Sequence, residues 1–214
     1  MEKYNYRKDP HQDIDHVFRD LLPAHGMVER PAQVELSHQM LDTMLNGSIA
    51  LCDAGTGIGK TYAYLVAGVV FRRYRSRAGL PNQPLLISTS SIALQGAIIR
   101  DYLPFLSKVM MADGMLDSPL RAVLRKGKSH YVCDARLMKR LQTANLDRKN
   151  PLAKAALLSM RDHLDLDMAP HLSGYDRERI CVPPTCDCGK TECRYLCYLD
   201  VCASETVSYT HLTL

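Results

Sequence analysis

The 214-residue sequence contains no tryptophan and only three phenylalanines, and its longest apolar run, from Tyr64 to Phe71, is too short to cross a membrane. Its first residues lack the apolar segment of a secretory signal, so we expect a cytoplasmic protein without membrane contact. A strong charge of one sign is also missing. The 27 basic and 23 acidic residues give a net charge of +4, which permits a polyanionic partner without requiring one.

The composition is otherwise that of a globular protein with an unusual distribution of cysteine. Hydrophobic residues make up 46% of the chain and charged residues 23%, which excludes wholesale disorder. Six of the eight cysteines lie between Cys181 and Cys202, and the other two, Cys52 and Cys133, lie far upstream. In a reducing compartment such thiols favour metal binding over disulfides.

Apolar spacing predicts an α/β fold. Helices are expected over residues 12–22, 32–45, 60–74, 91–100, 135–141 and 152–163, and strands over 48–53, 85–89 and 120–124. The order strand, glycine-rich turn, helix and strand around residues 48–89 predicts a βαβ unit with parallel strands. Two arginine- and lysine-rich clusters, at 72–77 and 121–128, are more typical of a solvated surface than of a phosphate-binding track.

Beyond residue 111 the pattern changes. The proline- and cysteine-rich stretch after residue 170 has little apolar periodicity, so we expect a metal to stabilise it in place of a core. The sequence therefore predicts an N-terminal domain over 1–110 and an insertion over 111–202.

The glycine-rich turn carries the strongest chemical signal. Its sequence is Ala54-Gly55-Thr56-Gly57-Ile58-Gly59-Lys60-Thr61. Small residues let successive backbone N–H groups converge on phosphate oxygens, and the helix that follows directs its positive end at the same anion. Lys60 can then reach the β- and γ-phosphates, and the Thr61 hydroxyl can bind Mg²⁺. A P-loop that binds ATP and Mg²⁺ is the prediction.

The flanks of this turn resemble a known family. Arg30-Pro31-Ala32-Gln33 resembles the Q-motif of superfamily 2 helicases, and residues 53–61 are similar to motif I of their DinG/XPD branch, whose first residue is usually Glu instead of Asp53. Residues 86–95 resemble motif Ia of that branch, and residues 125–133 resemble the segment with its first iron–sulfur cysteine. The resemblance extends from about Asp13 to Glu205 and implies a RecA-like P-loop NTPase fold, of which the parallel sheet is present only in part.

The resemblance also implies roles for residues near the nucleotide and the nucleic acid. Gln33 would hydrogen-bond the adenine edge with support from Arg30, since an amide both donates and accepts. Residues 88–90 would contact the nucleic-acid backbone from the end of a strand. From sequence alone, Gln33 could be an exposed helical residue and Ser90 a helix N-cap.

Four cysteines of the resembled branch bind a [4Fe–4S] cluster, and Cys133 corresponds to the first of them. Cys186, Cys188 and Cys193 are the favoured remaining ligands, because Asp187 and Gly189 would make a tight polar turn between them. Cys181 with Cys186 and Cys193 is the rival set. Cys197 and Cys202 fall at helical spacing and fit ordinary helix positions better. Four thiolates would also suit Zn²⁺.

The acidic motif II that the resembled family uses to hydrolyse ATP does not occur in the chain. We therefore expect an N-terminal helicase fragment without ATPase activity of its own, ending in a non-native tail over 207–214. The whole enzyme would be an ATP-dependent, monomeric helicase of DNA repair that acts on single-stranded DNA and duplex junctions. The alternative is a non-catalytic, metal-stabilised module that binds nucleic acid or protein and has a vestigial nucleotide site.

Overall fold

The computed structural model describes residues 9–81, 84–143, 151–186, 188–189, 193–204 and 207–210. They form two compact units. Unit 1 comprises the chain up to Leu85 together with Ile92–Ala122, and unit 2 comprises Leu86–Ser91 together with the chain from Val123 onward. The division near residue 122 lies twelve residues beyond the expected domain limit at 110. In the described parts of the chain, no helix has the length and apolarity needed to span a membrane.

Unit 1 is built from helices that pack around one long apolar helix. The helices are α1 (Pro10–His16), α2 (Leu22–Ala24), α3 (Pro31–Leu45), α4 (Lys60–Arg77), α5 (Ile92–Ala97) and α6 (Leu103–Ala112), with π-helical turns at Val17–Leu21 and Ile98–Tyr102. Apolar residues recur at helical spacing in α4, and Leu65, Val66, Val69 and Val70 are all buried. α3 packs on α4, where the buried Ser37 donates its hydroxyl hydrogen to the carbonyl oxygen of Ala63 at 3.0 Å. The helices predicted in this unit are confirmed, and α4 is three residues longer than expected.

The strand predicted over residues 48–53 is wrong. This segment adopts no regular secondary structure, and the side chains of Ile49 and Leu51 are 98% and 102% exposed. An apolar run of this kind becomes a buried strand only when neighbouring strands satisfy its backbone and cover its faces. The described strands pair with one another instead, so the βαβ unit expected around residues 48–89 is not formed.

The described strands make one small sheet. β1 (Leu85–Ser88), β2 (Ala122–Arg125) and β3 (Val207–Thr210) are hydrogen-bonded in the order β1-β3-β2. The strands expected over 85–89 and 120–124 are thus confirmed, with small changes in their bounds. The central strand, β3, is part of the 207–214 tail that was expected to be non-native. That the tail is non-native stays a prediction, and residues 211–214 lie outside the described residues.

Unit 2 has an apolar core of its own, which the weak periodicity of its sequence did not indicate, and the expected stabilising metal stays a prediction. Its helices are α7 (Asp134–Thr143), α8 (Pro151–Ser159), α9 (Gly174–Ile180) and α10 (Arg194–Ser204). Short antiparallel bridges join Tyr131 to Asp165 and Val132 to Cys181. The buried side chains of the main cluster are Val132, Leu137, Ala156, Leu157, Met160, Leu166, Ala169, Leu172 and Ile180. Residues after 170 therefore contribute to a core through contacts with distant segments, which local periodicity does not reveal.

Candidate functional site

The glycine-rich turn contains two glycines in the left-handed backbone conformation and ends at the start of a long helix. Gly57 and Gly59 have φ angles of +84° and +87°, a backbone conformation that residues with a Cβ atom rarely adopt. Gly59 is the N-cap residue of α4, which begins at Lys60 and runs for 18 residues. The N–H groups of its first turn have no partner within the helix and are suited to bind an anion.

The side chain of Lys60 folds back over this turn. Its ammonium group donates hydrogen bonds to the carbonyl oxygens of Ala54, at 2.7 Å, and of Gly55, at 3.0 Å. These contacts hold the positive charge beside the loop instead of letting it extend into solvent. Thr61, the expected Mg²⁺ ligand, follows in the first turn of α4.

Gln33 on α3 and Arg30, the N-cap residue of α3, both bind the backbone of this turn, which lies 26 to 27 residues later in the chain. Gln33 is only 3% exposed, and its amide nitrogen donates to the carbonyl oxygen of Gly59 at 2.7 Å. The guanidinium of Arg30 donates to the carbonyl oxygen of Gly57 at 2.5 Å. The structure thus brings Arg30 and Gln33 to the P-loop, in contact with its backbone, and Gln33 is not an exposed helical residue. Their expected contacts with adenine stay a prediction.

Residues 88–90, within the segment that resembles motif Ia, lie at the end of β1 as expected. Ser88 is the last residue of this strand, and the Thr89 hydroxyl accepts a hydrogen bond from the backbone N–H of Ser91 at 3.1 Å. Thr89 thus makes a hydroxyl contact within this turn, and the alternative of Ser90 as a helix N-cap stays a prediction. A role of this turn in nucleic-acid binding stays a prediction.

Three cysteine side chains of unit 2 influence the thiol of a fourth, Cys188, electrostatically. A hydrogen bond with Cys186 and the charge of that thiol raise the pKa of Cys188 to about 11, and desolvation and the charges of Cys133 and Cys193 add to the increase. These charges oppose the ionisation of Cys188, and a bound cation would reverse the effect by stabilising the thiolate. The donor chemistry of this set therefore suits an iron–sulfur cluster or a metal ion.

The cysteines do not form a closed site. Among the residues that the structure describes, no three His, Cys, Asp or Glu side chains are placed to hold one metal ion. Asp187, expected to help form the turn between the ligands, lies outside the described residues.

The remaining cysteines of unit 2 have other surroundings. The Cys181 thiol lies 3.3 Å from the Glu178 carbonyl oxygen and packs at the edge of the apolar core. Cys197 and Cys202 lie on α10, as their spacing indicated, and Cys202 is buried.

The first basic cluster is partly used inside unit 1. The guanidiniums of Arg73 and Arg77 lie 3.7 and 3.3 Å from Oδ2 of Asp13, which is buried. A buried carboxylate requires such partners. These arginines therefore contribute to the packing of α4 against α1.

The second basic cluster is likewise engaged within unit 2. Lys126 donates to Asp165 and Asp167 at 2.6 Å each, and Lys128 donates to the carbonyl oxygen of Pro184. Burial alone would raise the pKa of Asp167, but hydrogen bonds from Lys126 and Arg177 outweigh it and hold this pKa well below its usual range. These contacts are structural, and the side chain of Lys126, only 9% exposed, is not part of the solvated surface that the sequence favoured.

The structure also reveals a basic surface that the sequence predictions missed. Exposed cations of α7 and α9 line a shared pocket of about 390 Å³. A signal was present, because Arg136, Arg140 and Thr143 recur at intervals of three to four residues along one helix. These residues lie outside the two basic clusters singled out from the sequence.

No protein-family model matches the chain, but several characterised proteins are similar to part of it. The 3'-5' exonuclease DinG of Bacillus subtilis is 30% identical over 139 residues, which are 65% of this chain and 13% of the relative. The ATP-dependent DNA helicase YoaA of Haemophilus influenzae is 30% identical over 129 residues, which are 60% of this chain and 18% of the relative. The ATP-dependent DNA helicase DinG of Photobacterium profundum is 35% identical over 85 residues, which are 40% of this chain and 10% of the relative. The chain spans less than a fifth of the length of these relatives.

Proposed function

We propose that this chain, a relative of the DinG and YoaA helicases, carries the nucleotide-binding loop and the cysteine-bearing segment of an ATP-dependent DNA helicase. The observation that carries this proposal is the turn at Gly57 and Gly59, with Lys60 folded over it and Gln33 attached to its backbone. In the whole enzyme, ATP binding and hydrolysis would drive movement along single-stranded DNA at duplex junctions.

Within this function, the residues of the loop would divide the work of holding MgATP. The N–H groups of residues 55–61 would bind the phosphates, with Lys60 on the β- and γ-phosphates and Thr61 on Mg²⁺. Gln33 has one amide N–H engaged with Gly59, and its amide carbonyl can accept a hydrogen bond from an adenine amino group. Arg30 would keep the loop in place through Gly57.

Binding of a fluorescent ATP analogue in the presence of Mg²⁺ tests the nucleotide site directly. We expect the 214-residue chain to bind the analogue and Lys60→Ala to weaken binding at least tenfold, since the ammonium would contact two phosphates. Lys108→Ala is the matched control, because Lys108 is exposed on α6 of the same unit. Equal binding by both variants would refute the site. The chain lacks motif II, so it should bind ATP without hydrolysing it.

We further propose that Cys133, Cys186, Cys188 and Cys193 hold a [4Fe–4S] cluster. The electrostatic influence of Cys133, Cys186 and Cys193 on the Cys188 thiol supports this choice of ligands, and the cluster would cross-link three separate parts of unit 2. Anaerobically purified protein should contain iron and absorb visible light, and Cys133→Ser should lose both properties. Cys197→Ser, which changes an exposed cysteine of α10, should retain them.

A second candidate is the non-catalytic module with a vestigial nucleotide site. It is favoured by the exposed segment at Ile49 and Leu51, because a P-loop normally follows a strand anchored within a sheet. This candidate predicts zinc instead of iron, no visible absorbance and no response of nucleotide binding to Lys60→Ala. Metal analysis and the nucleotide-binding measurement together therefore distinguish the helicase segment from the non-catalytic module.

A further inference from the structure

We propose that an ion pair between Asp134 and Arg194 holds Cys133 and Cys193 in place for cluster binding before any metal is present. The inference rests on the proposed iron–sulfur site and adds two residues, outside its ligand set, that position two of the ligands. Cys133 directly precedes Asp134 in the chain, and Cys193 directly precedes Arg194. A bond between Asp134 and Arg194 therefore restrains two cysteines that lie 60 residues apart in the sequence.

Both cysteines are attached to the start of a helix. α7 begins at Asp134, and α10 begins at Arg194. The backbone carbonyl oxygen of Cys133 accepts a hydrogen bond from the N–H four residues later at 2.9 Å, and that of Cys193 does the same at 3.1 Å. Each cysteine thus occupies the N-cap position of its helix, where the first intrahelical bond restrains its backbone. A contact that joins the first turns of α7 and α10 consequently restrains the two cysteines relative to each other.

The guanidinium of Arg194 makes this contact and is itself anchored to the core. Its Nε and Nη2 atoms donate to Oδ1 of Asp134 at 2.8 and 2.5 Å. Nη2 and Nη1 also donate to the carbonyl oxygens of Met160 and Arg161, just beyond the end of α8, at 3.1 and 2.9 Å. Met160 is fully buried in the main core of unit 2. An isolated ion pair with side chains 32% and 35% exposed would contribute little, but the planar guanidinium is here fixed from two directions.

An apolar contact joins the same two segments independently of the ion pair. Tyr195, two residues after Cys193, packs against a small buried cluster that contains Tyr131, Cys133 and Val182. The ring centroids of Tyr131 and Tyr195 lie 5.2 Å apart. The start of α10 therefore lies against the segment that carries Cys133, and the ion pair acts between segments that are already in contact.

Ligands that are held in this way favour cluster binding. Two thiolates on restrained segments lose less conformational entropy on binding than two thiolates on independent segments. Removal of residues that orient metal ligands typically lowers metal affinity about 10- to 100-fold. The ion pair has no net charge, so its replacement by two amides tests position without changing the charge of the site.

The test compares two full-length variants that each lose one Arg–Asp pair of unit 2. The clamp variant carries Asp134→Asn with Arg194→Gln. The control variant carries Asp176→Asn with Arg140→Gln and loses a pair in which Arg140 Nε lies 2.6 Å from Asp176 Oδ1, between α9 and α7. The control pair adjoins none of the proposed ligands in the chain, and its side chains are less exposed than those of the clamp pair. Its loss should therefore destabilise unit 2 at least as much, which urea unfolding of the iron-free proteins measures.

Cluster retention is the first measurement. Anaerobically purified protein is mixed with an iron chelator, and the decay of its visible absorbance is followed. The clamp variant should lose the cluster at least about tenfold faster than the wild type, whereas the control variant should differ less than about twofold, since its pair touches no ligand-bearing residue.

Thiol cross-linking in metal-free protein is the second measurement and needs no cluster. Dibromobimane becomes fluorescent only after it has reacted with two neighbouring thiols, and mass spectrometry identifies the joined peptides. In a background with Cys186→Ser and Cys188→Ser, the yield of the product that joins Cys133 to Cys193 should fall at least about fivefold in the clamp variant and stay unchanged in the control variant.

Two outcomes would overturn the proposal. Equal rates of cluster loss in the clamp and control variants would mean that only the general stability of unit 2 matters. An unchanged yield of the Cys133–Cys193 product in the clamp variant would mean that the cysteines are held without the ion pair. A wild-type chain that takes up no iron, but whose cross-linking depends on the clamp pair, would refute the proposed cluster and support the positioning role, so the two failures are distinguishable.

Discussion

Replacing Gly59 with alanine tests how Gln33 holds the P-loop. A Cβ atom on Gly59 would lie 2.1 Å from Nε2 of Gln33 and 2.8 Å from its Cδ, distances that no side chain tolerates. Gln33 is buried and bonded to the carbonyl oxygen of Gly59, so it must move and lose that hydrogen bond. The left-handed backbone costs about 1–2 kcal/mol for alanine, and the broken buried hydrogen bond adds about 1–3 kcal/mol. The free energy of unfolding should therefore fall by about 2–5 kcal/mol.

The loop supplies its own controls for this measurement. Gly57 has nearly the same φ angle, +84°, but a Cβ there meets no atom within 4 Å, so Gly57→Ala should cost only the conformational part, about 1–2 kcal/mol. Gly55→Ala has neither penalty and should be close to neutral. Urea unfolding followed by circular dichroism gives all three values. In a Gln33→Ala background, the cost of Gly59→Ala should fall to that of Gly57→Ala. The reasoning is refuted if Gly59→Ala and Gly57→Ala cost the same in the wild-type background.

Three further predictions concern stability. The pKa of Asp167 is held below its ordinary value of 3.8, so its ionised form stabilises the fold above about pH 4, and this contribution is lost as the pH falls below that. In urea unfolding from pH 6 to pH 3, the free energy of unfolding should therefore fall less for Asp167→Asn than for the wild type. Ser37→Ala should lower the free energy of unfolding by about 1 kcal/mol through loss of the bond to Ala63, whereas Ser48→Ala, at an exposed position, should have almost no effect. Leu157→Ala should lower the free energy of unfolding by about 2–5 kcal/mol even in iron-free protein, because the core of unit 2 is apolar. Leu152→Ala, on the exposed side of the same helix, is the control. Equal losses of stability in the two variants would show that this apolar core does not stabilise the unit.

The sequence predicted those features that depend on nearby residues. Helices α3 and α4 follow from apolar spacing, and the turn before α4 follows from its glycine-rich sequence. The prediction of a strand over residues 48–53 was wrong for a physical reason. An apolar run indicates that a segment would be stable when buried, but its sequence does not contain the strands that must cover it.

Other failures have the same origin in long-range contacts. The core of unit 2 depends on pairings such as Val132 with Cys181, which join segments almost fifty residues apart. The bond from Gln33 to Gly59 likewise spans 26 residues; the family resemblance indicated a shared role for these residues, but no spacing rule could give the contact. Only the structure shows that Gln33 acts on the loop backbone.

These contacts bear on how the loop would select a triphosphate. A lysine ammonium has three N–H donors, and two of those of Lys60 already bind the carbonyl oxygens of Ala54 and Gly55. The third donor is left for a phosphate oxygen, at a position fixed by the other two. Arg30 and Gln33 hold the carbonyl groups of Gly57 and Gly59 at the same time, which would leave the N–H groups on the opposite sides of those peptide units for a phosphate. A loop arranged in this way loses little conformational entropy on binding, so removal of Gln33 should weaken nucleotide binding even for analogues that lack the adenine amino group.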